Sequence, residues 1–258
     1  MSDQLLIHTD NRGVCTLTLN RPERHNALNA ELIVELVNAL TNVNNDPNIR
    51  VLVITGNGDS FSSGADMEWM KASANYDEET NRQDAMLFTQ LMRTLYDLQK
   101  PTIALINGPS YGGGLGVIAC CDIAIASTTA KFAFTEVRLG LVPAVISPYV
   151  IVKIGPSHAR RLFLTAEQFS ATQALAFDLV HFVVDKTELN TLVDQQIQHL
   201  LKAGPLAARA SKLLTPRLAT EEVENELTAL IAALRASPEG QEGLAAFLEK
   251  RKPSWIKG

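Results

Sequence analysis

The chain has 258 residues, 46% of them hydrophobic and 20% charged, and a formal net charge of −5. That length suits one large domain, or one domain with a helical appendage. The acidic balance excludes a basic face for nucleic acid and a polybasic membrane patch, and no apolar run reaches the roughly 20 residues of a membrane span.

Met1-Ser2-Asp3-Gln4 lacks the basic lead of a secretory signal, so a cytoplasmic protein is expected. Cys15, Cys120 and Cys121 are an odd set among small apolar residues and read as reduced, buried thiols. His8, His25, His158, His181 and His199 never pair at ligand spacing, so no metal site is expected.

In chain order, Leu5 to His8 and Val14 to Leu19 flank the turn Asp10-Asn11-Arg12-Gly13 and predict a β-hairpin. Cys15, Leu17 and Leu19 alternate with threonines, which buries one face. A polar loop from Asn20 to Leu28 precedes a helix striped by Leu32, Ile33, Leu36, Val37 and Leu40, stopped by Asn42 to Pro47. Arg50 to Thr55 predicts a strand. The small-residue loop Gly56 to Gly64 then leads into a helix start at Ala65-Asp66-Met67. Tyr76 to Arg82 reads as a mobile segment or helix lead-in, and Asp84 to Leu98 as a helix.

Thr102 to Ile106, after Pro101, predicts a buried strand, followed by turn residues Asn107-Gly108-Pro109-Ser110 and the triplet Gly112-Gly113-Gly114. Leu115 to Cys121 predicts a buried helix, and Asp122 to Ala126 and Lys131 to Phe134 predict strands of the same sheet system. Beyond Ser157 the pattern turns helical, at Ala159–Leu164, Ala171–Phe177, Glu188–Lys202, Leu206–Leu213, Glu221–Leu234 and Glu239–Lys250, with one strand at Val180 to Val184. The expected organisation is a ββα core over residues 1–200 and a C-terminal helical region over 201–258.

Strand, glycine-containing turn and helix start therefore occur twice. Each turn exposes unpaired N–H groups at a helix's positive end, at Ala65 and near Gly113. Two such ends meeting in space would aim two donors at one oxygen, the arrangement that stabilises an enolate or a tetrahedral oxyanion. The alternative is a pair of tight turns whose glycines only permit close packing. Gly112-Gly113-Gly114-Leu115-Gly116 does not give the dinucleotide pattern G-x-G-x-x-G, and neither a P-loop nor a G-x-S-x-G elbow occurs.

The blocks Asn20-Arg21-Pro22 with Asn26-Ala27-Leu28, Phe61 to Asp66, Asn107-Gly108 with Gly112 to Gly114, Cys121 to Ala126, Phe134-Thr135-Glu136, Leu139 to Pro143 and Phe247 to Lys252 together resemble the enoyl-CoA hydratase/isomerase (crotonase) superfamily. They follow the family's order across nearly the whole chain. The resemblance implies an α/β fold of ββα units wound into a superhelix, with a C-terminal helical region that trimerises, and hexamers built as dimers of trimers. It implies an acyl-CoA thioester substrate and no separate cofactor, coenzyme A being part of the substrate. It places the oxyanion donors on the backbone N–H of Ala65 and Gly113 and a catalytic carboxylate on Glu136. Substrate and CoA contacts fall on Arg24, His25, Ala27, Ser63, Asp66, Met67, Gly112 and Thr135, with Phe247 and Lys250 reaching CoA from a neighbouring subunit.

Hydratases of the family usually carry a second glutamate, which would fall two residues after the glycine triplet, where this chain has Gly116. One reading gives Glu136 alone the handling of water, helped by backbone groups or Tyr111. Another makes Glu136 the sole base of a Δ3-Δ2-enoyl-CoA isomerase, and a third a non-catalytic acyl-CoA-binding trimer. The run Glu136 to Val150 resembles a bacterial branch of methylglutaconyl-CoA hydratases in leucine or isoprenoid breakdown, which favours hydratase over isomerase and makes Arg138 a candidate for a substrate's distal carboxylate. If only the missing carboxylate limits hydration of simple enoyl-CoA, Gly116→Glu should raise it.

Overall fold

In the computed structural model, which describes residues 3–73, 75–218 and 224–256, the period-two pattern of the first strands builds the main sheet. β1 (Leu5–Thr9) and β2 (Val14–Leu19) form the expected hairpin, antiparallel with Leu5 opposite Leu19. The helix α1 (Ala30–Asn45) returns the chain to β3 (Val51–Gly56), its first turn capped by the Asn29 side chain accepting from Leu32 N–H. α2 (Met67–Ser73) and α3 (Glu78–Tyr96) follow, the latter capped by Asp77, so the charged lead-in is helical from Glu78 onward.

Next come β4 (Thr102–Ile106), the two-residue β5 (Ser110–Tyr111), α4 (Gly113–Cys120), β6 (Ile123–Ser127) and β7 (Lys131–Ala133). α5 (Ser147–Thr165) is kinked at Gly155, whose φ of 72° interrupts it just before Pro156. β8 (Phe169–Ser170), α6 (Ala171–Ala176) and β9 (Phe182–Val184) precede α7 (Leu189–Lys202), α8 (Pro205–Leu218), α9 (Glu224–Ala236) and α10 (Pro238–Leu248). The start of the helix expected at Glu221–Leu234 lies outside the described residues.

The six-stranded sheet runs β1-β2-β3-β4-β6-β9 and is parallel from β2 onward. Both faces of its centre are covered, so the strands are nearly continuously apolar. Leu52, Ile54, Ala104 and Ile106 point into the main core with α1, α3 and α4. Val51, Val53, Ile103 and Ile125 point the other way, onto Leu189, Val193 and Ile197, one stripe of α7.

The second sheet, β5-β7-β8, corrects the expectation that Lys131 to Phe134 continues the main sheet. The free edge of β6 is already taken by β9, with Ile125 opposite Phe182, so β7 pairs with β5 instead. Phe132 and Phe169 pack across it at 5.6 Å between centroids. This small sheet carries the chain directly to Glu136.

Candidate active site

The site is built where the loops after β3 and β4 are laced together. Phe61 N–H donates to Pro109 O at 3.0 Å and Tyr111 N–H to Ser62 O at 2.9 Å. Leu28 N–H reaches Gly64 O at 2.7 Å, and Asp66 N–H returns to Leu28 O at 3.0 Å, which ties in the loop from Asn20 to Leu28. Gly64, at φ 86°, lies so close to the other loop that a Cβ there would sit 2.7 Å from Tyr111 O and 3.2 Å from Gly113 N. Gly112, at φ 47° and ψ −119°, caps α4 in a conformation open to glycine alone. The residue following Gly64 is Ala65 and the residue following Gly112 is Gly113. Among the described residues neither of their N–H groups is donated within the protein, so two free donors project from adjacent turns.

Glu136 opens a single 3₁₀ turn, Glu136–Leu139, directly after β7. Its carboxylate lies against Gly112, where a Cβ would be 3.4 Å from Glu136 Oε1 and 3.9 Å from Thr135 Oγ1. Glu136 Oε2 is buried and has no hydrogen-bond partner among the described residues. Burial pushes its pKa above the ordinary carboxylate value, and a hydrogen bond to its own backbone only partly opposes this. A carboxyl of raised pKa, unengaged and beside two free N–H donors, can exchange a proton with a substrate carbon or water while the donors hold a carbonyl oxygen.

The position of the second carboxylate is not merely vacant. A Cβ built on Gly116 would overlap Ile146 Cγ2 and lie 2.9 Å from Met92 Sδ. Both side chains belong to the main core, with Met92 and Ile146 buried. The expectation that Gly116→Glu raises hydration is therefore corrected, because the space for a glutamate is filled with hydrocarbon. This variant is expected to gain no hydratase activity and to melt at least several degrees lower. Overpacking costs about 1–3 kcal/mol, at roughly 2–4 °C per kcal/mol for a chain of this size, and a charge is buried besides. Parallel thermal melts and hydration assays check both halves.

The remaining expected contacts form a rim of mixed availability. Arg24 extends into solvent and pairs with Glu68 at 3.2 Å. His25 adopts φ 50° and holds Ser60 Oγ through Nδ1 at 3.0 Å. Ala27 is buried, Ser63 N–H donates to His25 O, and Met67 projects with 68% of its surface exposed. Asp66 is engaged on every side: Oδ2 pairs with Arg21 at 2.9 Å and Oδ1 accepts from Glu68 N–H at 2.8 Å. Burial raises its pKa, but Arg21 and the α2 amides outweigh this and hold it below the usual carboxylate range. Its carboxylate thus caps α2 rather than facing a ligand. Phe247 lies in the last turn of α10, which packs on α9, and Lys250 follows two residues past its end. Arg138 does not face the site: its Nη2 donates at 2.7 Å to Ala166 O, the left-handed cap of α5.

Two residues of the site escape a reading of the sequence. A Cβ on Gly113 would overlap the ring of Phe88 at Cζ, so this α3 side chain walls the Gly113 turn. Trp69 stacks on Phe88 at 6.4 Å and anchors its indole N–H on Asp84 Oδ1 at 2.7 Å. In sequence, Phe88 reads as one more member of a helix's core stripe. Among the described residues no group of three or more His, Cys, Asp or Glu is placed to hold a metal ion.

Comparison with known proteins gives the same site a lineage. The Enoyl-CoA hydratase/isomerase family profile matches residues 9–258. The chain is 34% identical to a crotonyl-CoA hydratase of Syntrophomonas wolfei, covering 99% of each protein. It superposes on a crystal structure of the enoyl-CoA hydratase/isomerase (crotonase) class from Legionella pneumophila with a TM-score of 0.92 at 43% identity, covering 98% of both chains. An enoyl-CoA hydratase structure from Shewanella pealeana aligns at a TM-score of 0.94 and 39% identity, over 98% of this chain and 96% of that one. Paired free amides at two glycine turns, a buried carboxyl facing them, and full-length likeness at these identities have one reading: the chain belongs to the enoyl-CoA hydratase/isomerase family.

Proposed function

We propose that the protein is an enoyl-CoA hydratase that works through one carboxylate. The observation that carries this is Glu136, with a buried and unpartnered Oε2, lying against Gly112 beside the free N–H groups of Ala65 and Gly113. The amides hold the thioester oxygen as it gains charge. Glu136 takes a proton from water as its oxygen bonds to Cβ, and returns a proton to Cα as the enolate collapses. The carboxylate ends as it began, so one group suffices if it can reach both atoms. Hydratase relatives at 31–34% identity over nearly the full chain favour this over isomerisation.

The finer assignments belong to the same proposal. Arg24, His25, Ala27, Ser63, Met67, Gly112 and Thr135, with the main chain of Asp66, form the CoA and acyl contacts. Phe247 and Lys250 complete them from a neighbouring protomer of a homotrimer or homohexamer, assembled through the region 201–258 after a core of 1–200. The substrate is a branched acyl-CoA such as 3-methylglutaconyl-CoA, in a cytoplasmic route of leucine or isoprenoid breakdown. No helix among the described residues is long and apolar enough to cross a membrane.

A second reading has its own observation. Ile146 and Met92 close the position beside Gly116, leaving a single base, and a double-bond shift between two carbons needs no more. A spectrophotometric assay separates the two. Loss of conjugated-thioester absorbance with 2-enoyl-CoA substrates, 3-methylglutaconyl-CoA among them, is the expected result. Gain of that absorbance from a 3-enoyl-CoA, with silence from the first set, makes the protein an isomerase. Silence from both, with acyl-CoA bound, leaves a binding protein.

A further inference from the structure

The active-site loops leave the C-terminal ends of β3 and β4. A separate cleft lies at the opposite end of the same parallel strands, walled by the residues that enter them. Arg50 precedes β3, Lys100 precedes β4, and Arg209 faces them from the first turns of α8 across a cavity of about 170 Å³. Asn44 and Gln99 add amides, and the rest of the wall is apolar; no carboxylate lines it.

Three cations thus share one cleft, and among the described residues none forms an ion pair. Arg50 donates only to uncharged acceptors, Ala203 O at 2.9 Å and Trp255 O at 3.3 Å. Lys100 Nζ and the Arg209 guanidinium have no hydrogen-bond partner among the described residues. The carboxylates whose charge reaches Arg50 and Lys100 are engaged elsewhere: Glu239 accepts from Leu206 and Ala207 N–H at 2.8 and 2.9 Å, and Asp46 accepts from Asn48 N–H at 2.8 Å. Burial lowers the pKa of Lys100; Asp46 opposes this, while Arg50 and Arg209 push the same way as burial. The cleft is short of a negative charge.

We propose that this cleft is a binding site for a phosphate-class oxyanion, held by Arg50, Lys100 and Arg209 and distinct from the acyl-CoA site. A tetrahedral oxyanion offers several acceptors at once to two planar guanidinium forks and a point ammonium. The cavity has the volume of roughly five or six water molecules, which admits a phosphate group. Because the site joins α1, β3, β4 and α8, its occupant would brace the helical region against the sheet.

The test is a melt of the full chain titrated with potassium phosphate against potassium chloride at matched ionic strength. Wild type is expected to give a saturable rise in Tm with phosphate alone. In Lys100→Gln/Arg209→Gln the half-saturating concentration should rise at least about tenfold, with hydration in phosphate-free buffer unchanged. Should the double variant fail to fold, Arg209→Gln alone, at an exposed helix position, must still weaken the phosphate response at least about threefold. Glycerol 3-phosphate in place of phosphate tells a free anion from an esterified one: a comparable rise admits a phosphomonoester as the occupant, and none restricts the site to the inorganic ion. An equal rise in wild type and variant would mean general salting or binding at the CoA site, and it overturns the proposal, as does no saturable rise in wild type.

Discussion

Glu136→Gln is expected to lower kcat by about 10²–10⁴, the usual share of a general acid or base, and to leave the protein at least as stable as wild type at pH 7.5. The first part follows if Glu136 is the only group that moves protons. Its neighbours Gly112 and Thr135 carry no charge, and the space where a second carboxylate would stand is filled by Ile146 and Met92. Steady-state hydration of a 2-enoyl-CoA reads it, and unchanged turnover would remove Glu136 from the mechanism. The second part follows from burial. The folded chain favours the neutral carboxyl, so Glu136 has a higher pKa folded than unfolded. Its contribution to stability is therefore fully present below the ordinary carboxylate pKa and is lost as pH rises through the raised one. Gln carries no charge at any pH. The Tm of wild type relative to the variant should fall between those two pKa values and stay level above the higher. A variant that loses activity and also melts well below wild type at pH 7.5 would instead mark Glu136 as a structural residue.

The parts of this site that were legible in the sequence are those whose chemistry is local. A glycine that must take a positive φ, an Asn or Asp cap and a period-two apolar run each announce themselves within a few residues. Thr102 to Ile106 accordingly reads to the residue as β4, and the turns carrying Ala65 and Gly113 read as a pair. The illegible parts depend on long-range partners. Lys131 to Phe134 reads as a strand, but only the occupancy of β6's edge by β9 decides which sheet it joins. Ser110–Tyr111 is too short to carry a period and is a strand only because β7 lies beside it. The first half of α5 begins at Ser147-Pro148 and breaks at Gly155-Pro156, residues that mask a helical spacing although Val150 and Ile154 are buried on one face. The absence of a glutamate at position 116 is visible in the sequence; that Ile146, thirty residues on, fills its place is a fact of packing. Arg138 shows the converse, since a charge directly before the Leu139-Gly140-Leu141-Val142-Pro143 turn resembles a ligand until Ala166 O is found against it.

Gly113→Ala tests the oxyanion hole, and here the fold makes the outcome sharp. Side-chain substitution touches a backbone donor only by moving it, and at most helix starts an added methyl finds room and leaves the N–H where it was. At Gly113 it does not: the new Cβ overlaps Phe88 Cζ and lies 2.9 Å from Phe88 Cε1. The ring is held from behind by Trp69, itself fixed to Asp84. Either the aromatic pair shifts or the α4 N-terminus does, and loss of one oxyanion donor costs about 10²–10³ in kcat. The expected result is a fall of that size in kcat, with a smaller change in KM because the proposed CoA contacts other than Gly112 lie away from Phe88 and the new methyl. The double variant Gly113→Ala/Phe88→Ala separates the causes. Removing the ring gives the methyl its space, so recovery of at least about tenfold in kcat over Gly113→Ala would show that the donor had been displaced by Phe88. If kcat stays at the single-variant level while Phe88→Ala alone remains active, the methyl disturbs the substrate itself. If Gly113→Ala keeps wild-type kcat, the Gly113 N–H is not an oxyanion donor.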